Sequence, residues 1–186
     1  METLNLVIWP CSIKHLKKLI EGNTEFKKAF GINVSDGYIE WPEVLPKFIE
    51  RLQRGDAPEK WFSHLIIHKE DHKLIGFCGY KGKPDESGVV EIGYSISPAY
   101  RGKGYATEAA KALIENALQY NSVKVVCAHT LAEKSASTLV LEKIGMLKKG
   151  EILTNEGTKL WRWELERKNE RKAKDKFKSV IKQEIK

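Results

Sequence analysis

Residues 89–109 read VVEIGYSISPAYRGKGYATEA, and this stretch decides the fold of the chain. Val89 to Ser97 is rich in β-branched residues and predicts a strand. A break at residues 98–100 follows, and the residues from Arg101 predict a helix through Tyr120. A glycine-bearing turn between a strand and a helix leaves backbone N–H groups free at the positive end of the helix dipole. The stretch therefore predicts a binding site for a phosphate or diphosphate.

The residue types in this turn narrow the interpretation. Gly102 and Gly104 have no Cβ, so a ligand can approach the backbone closely. Arg101 and Lys103 add positive charge at the same place. The order is not the G-x-x-x-x-G-K-[ST] phosphate loop, and no glycine stands three residues after Gly104 to complete G-x-G-x-x-G.

Arg101, Gly104 and Ala106 form R-x-x-G-x-A, which resembles the acetyl-CoA pyrophosphate loop of the GNAT superfamily of N-acetyltransferases. Residues 135–146, SASTLVLEKIGM, resemble the next helix of that family and the turn after it. Within the family, the chain resembles the ribosomal-protein-acetylating (RimJ/RimL-like) branch. The resemblance covers about residues 4–166 in element order, and its motifs are specific over about residues 89–146.

The predicted order is strand, two helices, three strands, helix, strand, helix and two strands, with residues 23–40 left without a pattern. This order indicates a mixed α/β fold, a GNAT-like central sheet of about seven strands flanked by helices. The resemblance implies that the fourth and fifth strands splay apart and that the acyl carrier lies in the opening. Besides the elements above, the predictions are strands at 4–9, 61–68, 73–80, 123–128, 146–153 and 159–165, and helices from Ser12 to Glu21, 43–54 and 133–144.

The chain divides into a domain at residues 1–166 and a basic tail at residues 167–186. The tail holds nine basic and three acidic residues, so it carries most of the net charge of +7. A nucleic-acid-binding face on the domain itself is therefore not supported. Apolar residues at helical spacing predict an amphipathic C-terminal helix. Three alternatives are open for this segment. It packs on the domain or on a second copy in a homodimer, or it is a solvated tail, or it contacts RNA, the ribosome or a membrane surface.

Composition favours a globular protein of one domain, since 41% of residues are hydrophobic and 31% charged. No apolar run approaches the ~20 residues that span a bilayer, and no signal pattern opens the chain, so a cytoplasmic location is expected. The residues Cys11, Cys78 and Cys127 are predicted to be small core residues in a reducing compartment. No metal site is expected, because His64, His68 and His72 fall on a strand and its hairpin.

Acetyl transfer to an amine requires removal of a proton from the amine, which is charged at neutral pH. Glu91 is the candidate base, because it lies on the strand before the cofactor loop and shares a face with Gly93 and Ser95. The alternative is a solvent-facing strand glutamate. Glu108, inside the following helix, is a weaker candidate and is expected to be structural.

The resemblance also implies how the leaving thiolate is protonated. Many family members use the tyrosine of L-Y-E-K-x-G-F, but Leu141 stands at that position here. The ribosomal-protein branch carries N-x-x-S before the helix, and Ser137 matches its serine while Lys134 replaces its asparagine. Ser137 is thus the candidate acid, or alternatively a residue at the helix start that bonds CoA or the backbone.

The same resemblance assigns the acetyl-CoA contacts. Backbone groups of Ile96 and Ser97 are expected to bind the pantetheine arm as strand addition would, and Thr107 to cap the helix or touch a phosphate. His129 is a further candidate for substrate contact. The diphosphate is assigned to Arg101, Gly102, Lys103, Gly104, Tyr105 and Ala106.

The predicted function is acetyl-CoA-dependent N-acetyl transfer to a primary amine by direct attack in a ternary complex, with acetyl-CoA as cosubstrate. The acceptor is a small-molecule or peptide amine, including a protein N-terminus. The alternative is a non-catalytic acetyl-CoA-binding module, associated with ribosome or RNA through the tail. Two interpretations are open for a group of acidic and aromatic residues: Asp36, Tyr38, Glu40, Trp41 and Glu43. They form a lining suited to a cationic amine, or they are simply surface charge.

Overall fold

The computed structural model describes residues 1–39, 42–56 and 58–167. Within them the chain forms eight strands and five α-helices. The strands are β1 (Leu6–Pro10), β2 (Asn33–Val34), β3 (Ser63–His68), β4 (Lys73–Tyr80), β5 (Val89–Ile96), β6 (Val125–Leu131), β7 (Leu147–Leu153) and β8 (Lys159–Glu166). The helices are α1 (Ile13–Glu21), α2 (Asn23–Phe30), α3 (Leu45–Arg54), α4 (Tyr105–Leu118) and α5 (Ala136–Lys143).

The strands form one mixed sheet in the order β1-β3-β4-β5-β6-β8-β7, with β2 pairing with β4 off this path. The central pair β5 and β6 is parallel, because α4 makes the crossover between them. Of the other neighbours, all are antiparallel except β2 with β4. The predicted mixed α/β fold is thus confirmed, with the short β2 raising the strand number to eight.

Two apolar cores cover the two faces of the sheet. One core joins α4 to the sheet and includes Ala109 and Leu113 against Ile92 and Val126. The other joins α1, α2 and α3 to β3 and β4, with Leu16 and other helix residues packed on strand residues. Strands β3 and β4 contribute to both cores, whereas β5 is buried on the face of Val90, Ile92 and Ile96 and open on the face of Gly93. Burial of one face fixes the register of β5.

Local signals in the sequence explain several boundaries. The hydroxyl of Ser12 caps α1 by accepting from the N–H of His15, so the predicted N-cap is confirmed. Gly145, just after α5, has a φ of 84°, as its predicted role as a left-handed terminator requires. Lys73–Tyr80 has the predicted bounds, and the other predicted elements differ by a few residues at their ends.

Helix α2 was not predicted. Its sequence, NTEFKKAF, carries too few apolar residues for a helical pattern. Burial of Phe26 stabilises it, with the ring of Phe30 at 4.8 Å between centroids and the ring of His15 on α1 at 6.4 Å. Tertiary packing thus sets this helix.

The three cysteines are buried and unpaired, as predicted. Among the described residues no helix is both long and apolar enough to span a membrane. The predicted tail helix of residues 167–186 lies, apart from Arg167, outside the described part of the chain.

Candidate active site

The parallel strands β5 and β6 separate in the middle of the sheet. Their register pairs run from Val89 opposite Val125 to Glu91 opposite Cys127. Beyond that point β5 continues beside β4, whereas β6 continues beside β8. The two strands thus splay as the family resemblance implied, and Glu91 lies where the opening begins.

Backbone groups of β5 line this opening. The N–H of Ser97 donates to the carbonyl oxygen of Ile75 on β4, at 2.7 Å. Successive residues of a strand direct their backbone groups to opposite sides, so those of Tyr94 and Ile96 face away from β4 and into the opening. The carbonyl oxygen of Ile96 accepts from Nε of Arg101 at 2.9 Å, which ties the end of β5 to the loop after it.

Ser97 itself lies outside the opening. It is fully buried, and its hydroxyl donates to the carbonyl oxygen of Asp36 at 2.6 Å and lies 2.8 Å from the hydroxyl of Ser35. Because its N–H is bonded to β4, Ser97 presents no free donor to a pantetheine arm. Of the two predicted backbone contacts, the structure places only Ile96 at the opening.

In the loop before α4 the N–H of Arg101 donates to the carbonyl oxygen of Pro98, and the amides after it have no backbone acceptor among the described residues. Gly104 is the N-cap with a φ of 88°, and Gly102 has a φ of 76°. The N–H of Glu108 donates to the carbonyl oxygen of Gly104, and no side chain of the described residues caps this end. Thr107, a predicted cap, therefore does not cap. The unpaired N–H groups of the first turn form an anion seat.

Two adjoining cavities form a groove from this seat into the opening. Their volumes are about 290 Å³ and about 260 Å³. They share five lining residues, which come from β5, the loop and the starts of α4 and α5: Ile96, Arg101, Ala106, Ala136 and Val140. The anion seat lines one cavity with Gly102 and Gly104, and the other reaches Tyr94 and Ser137. An elongated carrier with a charged end fits this shape.

Ser137 lines the cavity of the groove that reaches Tyr94, which is called the inner cavity below. It is exposed in the first turn of α5, while Ser135 is the N-cap of that helix. The hydroxyl of Tyr94 donates to the carbonyl oxygen of Ser137 at 3.2 Å, so β5 and α5 meet here. Leu141 is buried in the core and lies away from the groove. Tyr94 was missed as a site residue, because its position in the strand alternation predicts core.

Glu91 contacts two side chains at the point where the strands part. Its Oε1 contacts Nζ of Lys81 and lies 2.9 Å from Nδ1 of His129. Burial raises the pKa of Glu91, but the adjacent Lys81 and His129 lower it by more, so the pKa lies below its ordinary value. The carboxyl group is therefore an anion at neutral pH.

Glu108 has the structural role that was expected. Its Oε1 accepts from the backbone N–H of Asn5 at 2.7 Å and its Oε2 from the side-chain amide at 2.9 Å. These bonds tie α4 to the segment before β1 and leave Glu108 engaged. Glu91 and Glu108 thus lie in different surroundings: Glu91 lies where β5 and β6 part, and Glu108 lies beside the segment before β1.

A third cavity, the acceptor cavity, lies between α3 and the β4–β5 pair. It has a volume of about 350 Å³ and is lined by residues that include Phe48, Phe77 and Gly93. It also shares Tyr94 and Ser95 with the groove. Two binding spaces thus meet at the middle of β5.

The expected acidic lining is not found among the described residues. Tyr38 is buried against the ring of Phe77, at 5.9 Å between centroids. Asp36 and Glu43 are exposed and do not line the acceptor cavity. Glu40 and Trp41 lie outside the described residues.

The histidines of β3 serve packing and hydrogen bonding. His64 Nδ1 lies 3.1 Å from the carbonyl oxygen of Phe62, and His68 Nε2 lies 2.8 Å from the hydroxyl of Tyr105. No group of three or more candidate metal ligands occurs within the described ranges.

Comparison with known proteins identifies the family. Residues 7–147 match the model of the acetyltransferase (GNAT) domain. The YjdG protein of Bacillus subtilis (strain 168), an uncharacterized N-acetyltransferase, is 34% identical over 113 residues, which are 58% of this chain and 67% of YjdG. YnaD of the same strain, also an uncharacterized N-acetyltransferase, is 34% identical over 100 residues, 52% of this chain. The match spans about half of YnaD, 55% of its length.

Solved structures share the fold at low identity. A GNAT-family acetyltransferase from Bacillus anthracis has a TM-score of 0.64 and 21% identity, over 89% of this chain and 97% of that one. The ribosomal-protein-S5-alanine acetyltransferase from Vibrio fischeri has a TM-score of 0.64 and 17% identity, over 91% and 97% of the two chains. The microcin C7 self-immunity acetyltransferase MccE, in complex with acetyl-CoA and AMP, has a TM-score of 0.62 and 16% identity, over 89% and 94%.

Proposed function

This chain belongs to the GNAT acetyltransferase family, and we propose that it transfers the acetyl group of acetyl-CoA to a primary amine, of a protein N-terminus or of a small molecule, by direct attack in a ternary complex. The observation that carries the proposal is the continuous path through the splayed sheet. The groove leads from the free amides of α4 to Tyr94, which it shares with the acceptor cavity. Glu91 is the last residue of β5 paired with β6, two positions before Gly93, and it lines a neighbouring cavity together with Lys81 and Cys127.

Acetyl-CoA is the cosubstrate and fits the groove. The diphosphate lies against the free amides of residues 104–107, with Arg101 and Lys103 beside it. A Cβ on Gly102 or Gly104 would meet no atom within 4 Å, so this side of the loop is open to a ligand. The N–H of Ile96 and the backbone of Tyr94 face the pantetheine arm, which pairs with β5 where β6 has left it.

In the reaction the amine nitrogen attacks the thioester carbonyl carbon. The C–N bond forms, the C–S bond breaks, and the amine loses a proton. Glu91 receives this proton through water, and its lowered pKa keeps it in the anionic form that a base requires. The contacts with Lys81 and His129 hold the carboxyl group in position.

The leaving thiolate needs a proton or a hydrogen-bond donor. Ser137 borders the inner cavity and has an exposed hydroxyl, so we assign it as the donor to the sulfur, with solvent restoring its proton. Tyr94 lines the same cavity, and its hydroxyl becomes a second donor when it leaves the carbonyl oxygen of Ser137, to which it donates in this structure. Leu141, buried in the core, has no part in this step.

The placement in the ribosomal-protein-acetylating branch rests on the thiolate site. A serine at Ser137 together with Leu141 in place of the tyrosine matches that branch. Structural neighbours named as ribosomal-protein acetyltransferases agree with this placement, although others are spermidine N-acetyltransferases. The branch assignment therefore concerns the chemistry of the leaving group more than the identity of the acceptor.

A non-catalytic acetyl-CoA-binding module is the second candidate. The observation that favours it is the ion pair between Lys81 and Glu91, which occupies the proposed base. Such a module would bind acetyl-CoA in the same groove and would release no CoA when amines are added.

The experiment that separates these functions measures two quantities on the full chain. Calorimetry measures the binding of acetyl-CoA, and a thiol assay measures CoA release with a panel of amines and peptides. Binding together with amine-dependent release supports the proposal. Binding without release from any amine supports the module, and absence of binding contradicts both.

We further propose a cytoplasmic location, which three buried and unpaired cysteines support. The division at residue 166 and the homodimer stay predictions. Sedimentation of the full chain against a truncation of residues 168–186 tests both together.

A further inference from the structure

The acceptor cavity is mainly apolar and small. Its volume of about 350 Å³ is near the lower end of the ~300–1,000 Å³ range of ligand pockets. Such a space holds one amino-acid-sized body rather than a folded peptide segment. The apolar side chains of its walls come from α3 and the turn before it, from β4 and from the residue before β3: Val44, Phe48, Phe62 and Phe77, with Ile39.

A guanidinium group borders this apolar wall. Arg51 on α3 stacks over the ring of Phe62, at 4.8 Å from the centroid, and its Nη2 donates to the carbonyl oxygen of Lys81 at 3.0 Å. These contacts fix the planar group at the cavity. Arg51 forms no ion pair with any carboxylate in the described ranges, so most of its donors are free for an anion.

The charge around the cavity is positive. Lys81 also lines it, and its ammonium group contacts Glu91. The described lining residues include no carboxylate. A polyamine placed here would bring its cations toward the like charges of Arg51 and Lys81, which repel them. It would also place charge against apolar walls, where the charge loses its hydration.

The floor of the cavity leaves room at the reaction point. Gly93 lies between Glu91 and Ser95 on the same face of β5, and a Cβ there would meet no atom within 4 Å. Gly93 and Ser95 line the acceptor cavity, and Ser95 also lines the groove. An amine above Gly93 therefore lies between the groove and Glu91.

We propose that the acceptor is a small primary amine with an apolar body, aromatic or branched aliphatic, and a carboxylate that pairs with Arg51, as in an apolar amino acid. This inference rests on the proposed function for the acetyl transfer and adds the substrate class. The apolar body fills the space beside Phe48 and Phe77, and the amine lies above Gly93.

The test compares amines that differ by one group. CoA release is measured with L-phenylalanine and L-leucine, with the decarboxylated amines phenethylamine and isoamylamine, with L-phenylalanine amide, and with spermidine. The expected result is that kcat/KM for each amino acid exceeds that of its decarboxylated counterpart by about 10- to 100-fold, because a charge-assisted contact is lost. Spermidine is expected to be the poorest acceptor.

Arg51→Gln is expected to remove the preference for the carboxylate, so the ratio of phenylalanine to phenethylamine falls to about one. Arg54→Gln is the matched control, since Arg54 is exposed on the same helix and pairs with Asp56. Gly93→Val fills the cavity floor and should lower kcat/KM for both phenylalanine and phenethylamine. Unchanged acetyl-CoA binding and melting temperature show that each variant is folded.

Several outcomes overturn the inference. Faster CoA release with spermidine or with the amide than with the amino acid overturns it. An unchanged preference for the carboxylate in Arg51→Gln also overturns it. If no amine releases CoA, the proposed function fails, and calorimetric binding of L-phenylalanine then tests the site alone. Binding that is weakened by Arg51→Gln supports the site. Absence of binding overturns the site as well as the proposed function.

Discussion

His129 Nδ1 lies 2.9 Å from Oε1 of Glu91, at the level where β5 and β6 part. Nε2 of the same ring is buried and has no partner among the described residues. Lys81 contacts the carboxyl group as well. The proposed base is thus held as an anion by two side chains, one from the loop after β4 and one from β6, at the mouth of the opening.

Replacing Glu91 by glutamine should remove the proton acceptor while keeping the shape of the strand. We expect kcat to fall by about 10²–10⁴-fold with acetyl-CoA affinity unchanged, since the groove is lined by other residues. Stopped-flow or steady-state CoA release measures kcat, and calorimetry measures binding. Glu86→Gln, in the exposed loop before β5, is the control that should keep full activity; a Glu91 variant with the same activity contradicts the assignment.

His129→Gln should change the pH profile rather than binding. The ring lowers the pKa of Glu91, so its removal raises that pKa. Because the base must be deprotonated, the acid limb of kcat/KM should move to higher pH. The profile is measured from pH 4 to pH 8, with His72→Asn as the control at an exposed turn of positive φ. A profile that stays in place in His129→Gln shows that the ring does not tune the base.

Gly104→Ala should weaken acetyl-CoA binding. Gly104 has a φ of 88°, and a side chain in this region costs roughly 1–2 kcal/mol while crowding the diphosphate. We expect the Kd for acetyl-CoA to rise by about tenfold or more, measured by calorimetry, with some loss of thermal stability. Gly150→Ala on β7, whose backbone is not in the left-handed region, is the control and should bind normally.

The Ser137 hydroxyl should matter to the chemical step. Ser137→Ala is expected to lower kcat by about 10-fold or more, with little change in KM for the amine, if the hydroxyl serves the leaving thiolate. Tyr94→Phe is measured beside it, because its hydroxyl lines the same cavity. Ser135→Ala is expected instead to lower stability by about 1 kcal/mol through loss of the α5 cap. Equal kcat in wild type and Ser137→Ala would assign the thiolate to Tyr94 or to solvent.

His64 should make the fold sensitive to acid. Burial lowers its pKa from 6.5 to about 4, against a smaller opposing effect of its hydrogen bond with Phe62. The unfolded chain therefore binds the proton first, so stability is full above pH 6.5 and falls as the pH drops toward 4. The loss is about 3 kcal/mol, from about 1.4 kcal/mol per pH unit.

Urea unfolding at pH 7.5, 6.0 and 5.0 measures this effect. His64→Gln should be less stable at pH 7.5 and should show a flatter dependence on pH below 6.5. The exposed His72→Asn should keep the slope of the wild type. A wild-type slope in His64→Gln would mean that His64 does not account for the acid sensitivity.

The strands and the cofactor loop could be read from the sequence because their signals are local. The alternation in β5, the Ser12 cap and the glycine at position 145 depend on neighbouring residues only. Helix α2 could not be predicted, because its stability comes from Phe26 packing against α1. Ser97 was misplaced for the same reason, since its N–H bonds to Ile75 on β4.

By itself the sequence determined the alternating strand, the glycine turn and the helix after it, and with them the anion seat at α4. Only the tertiary structure decided what surrounds Glu91 and what lines the acceptor cavity. Arg51, Lys81 and His129 come from a helix, a loop and another strand, and their contacts depend on sheet register and helix packing. The physical reason is that a turn or cap is set by adjacent backbone, whereas charge pairing and cavity shape are set by residues distant in the chain.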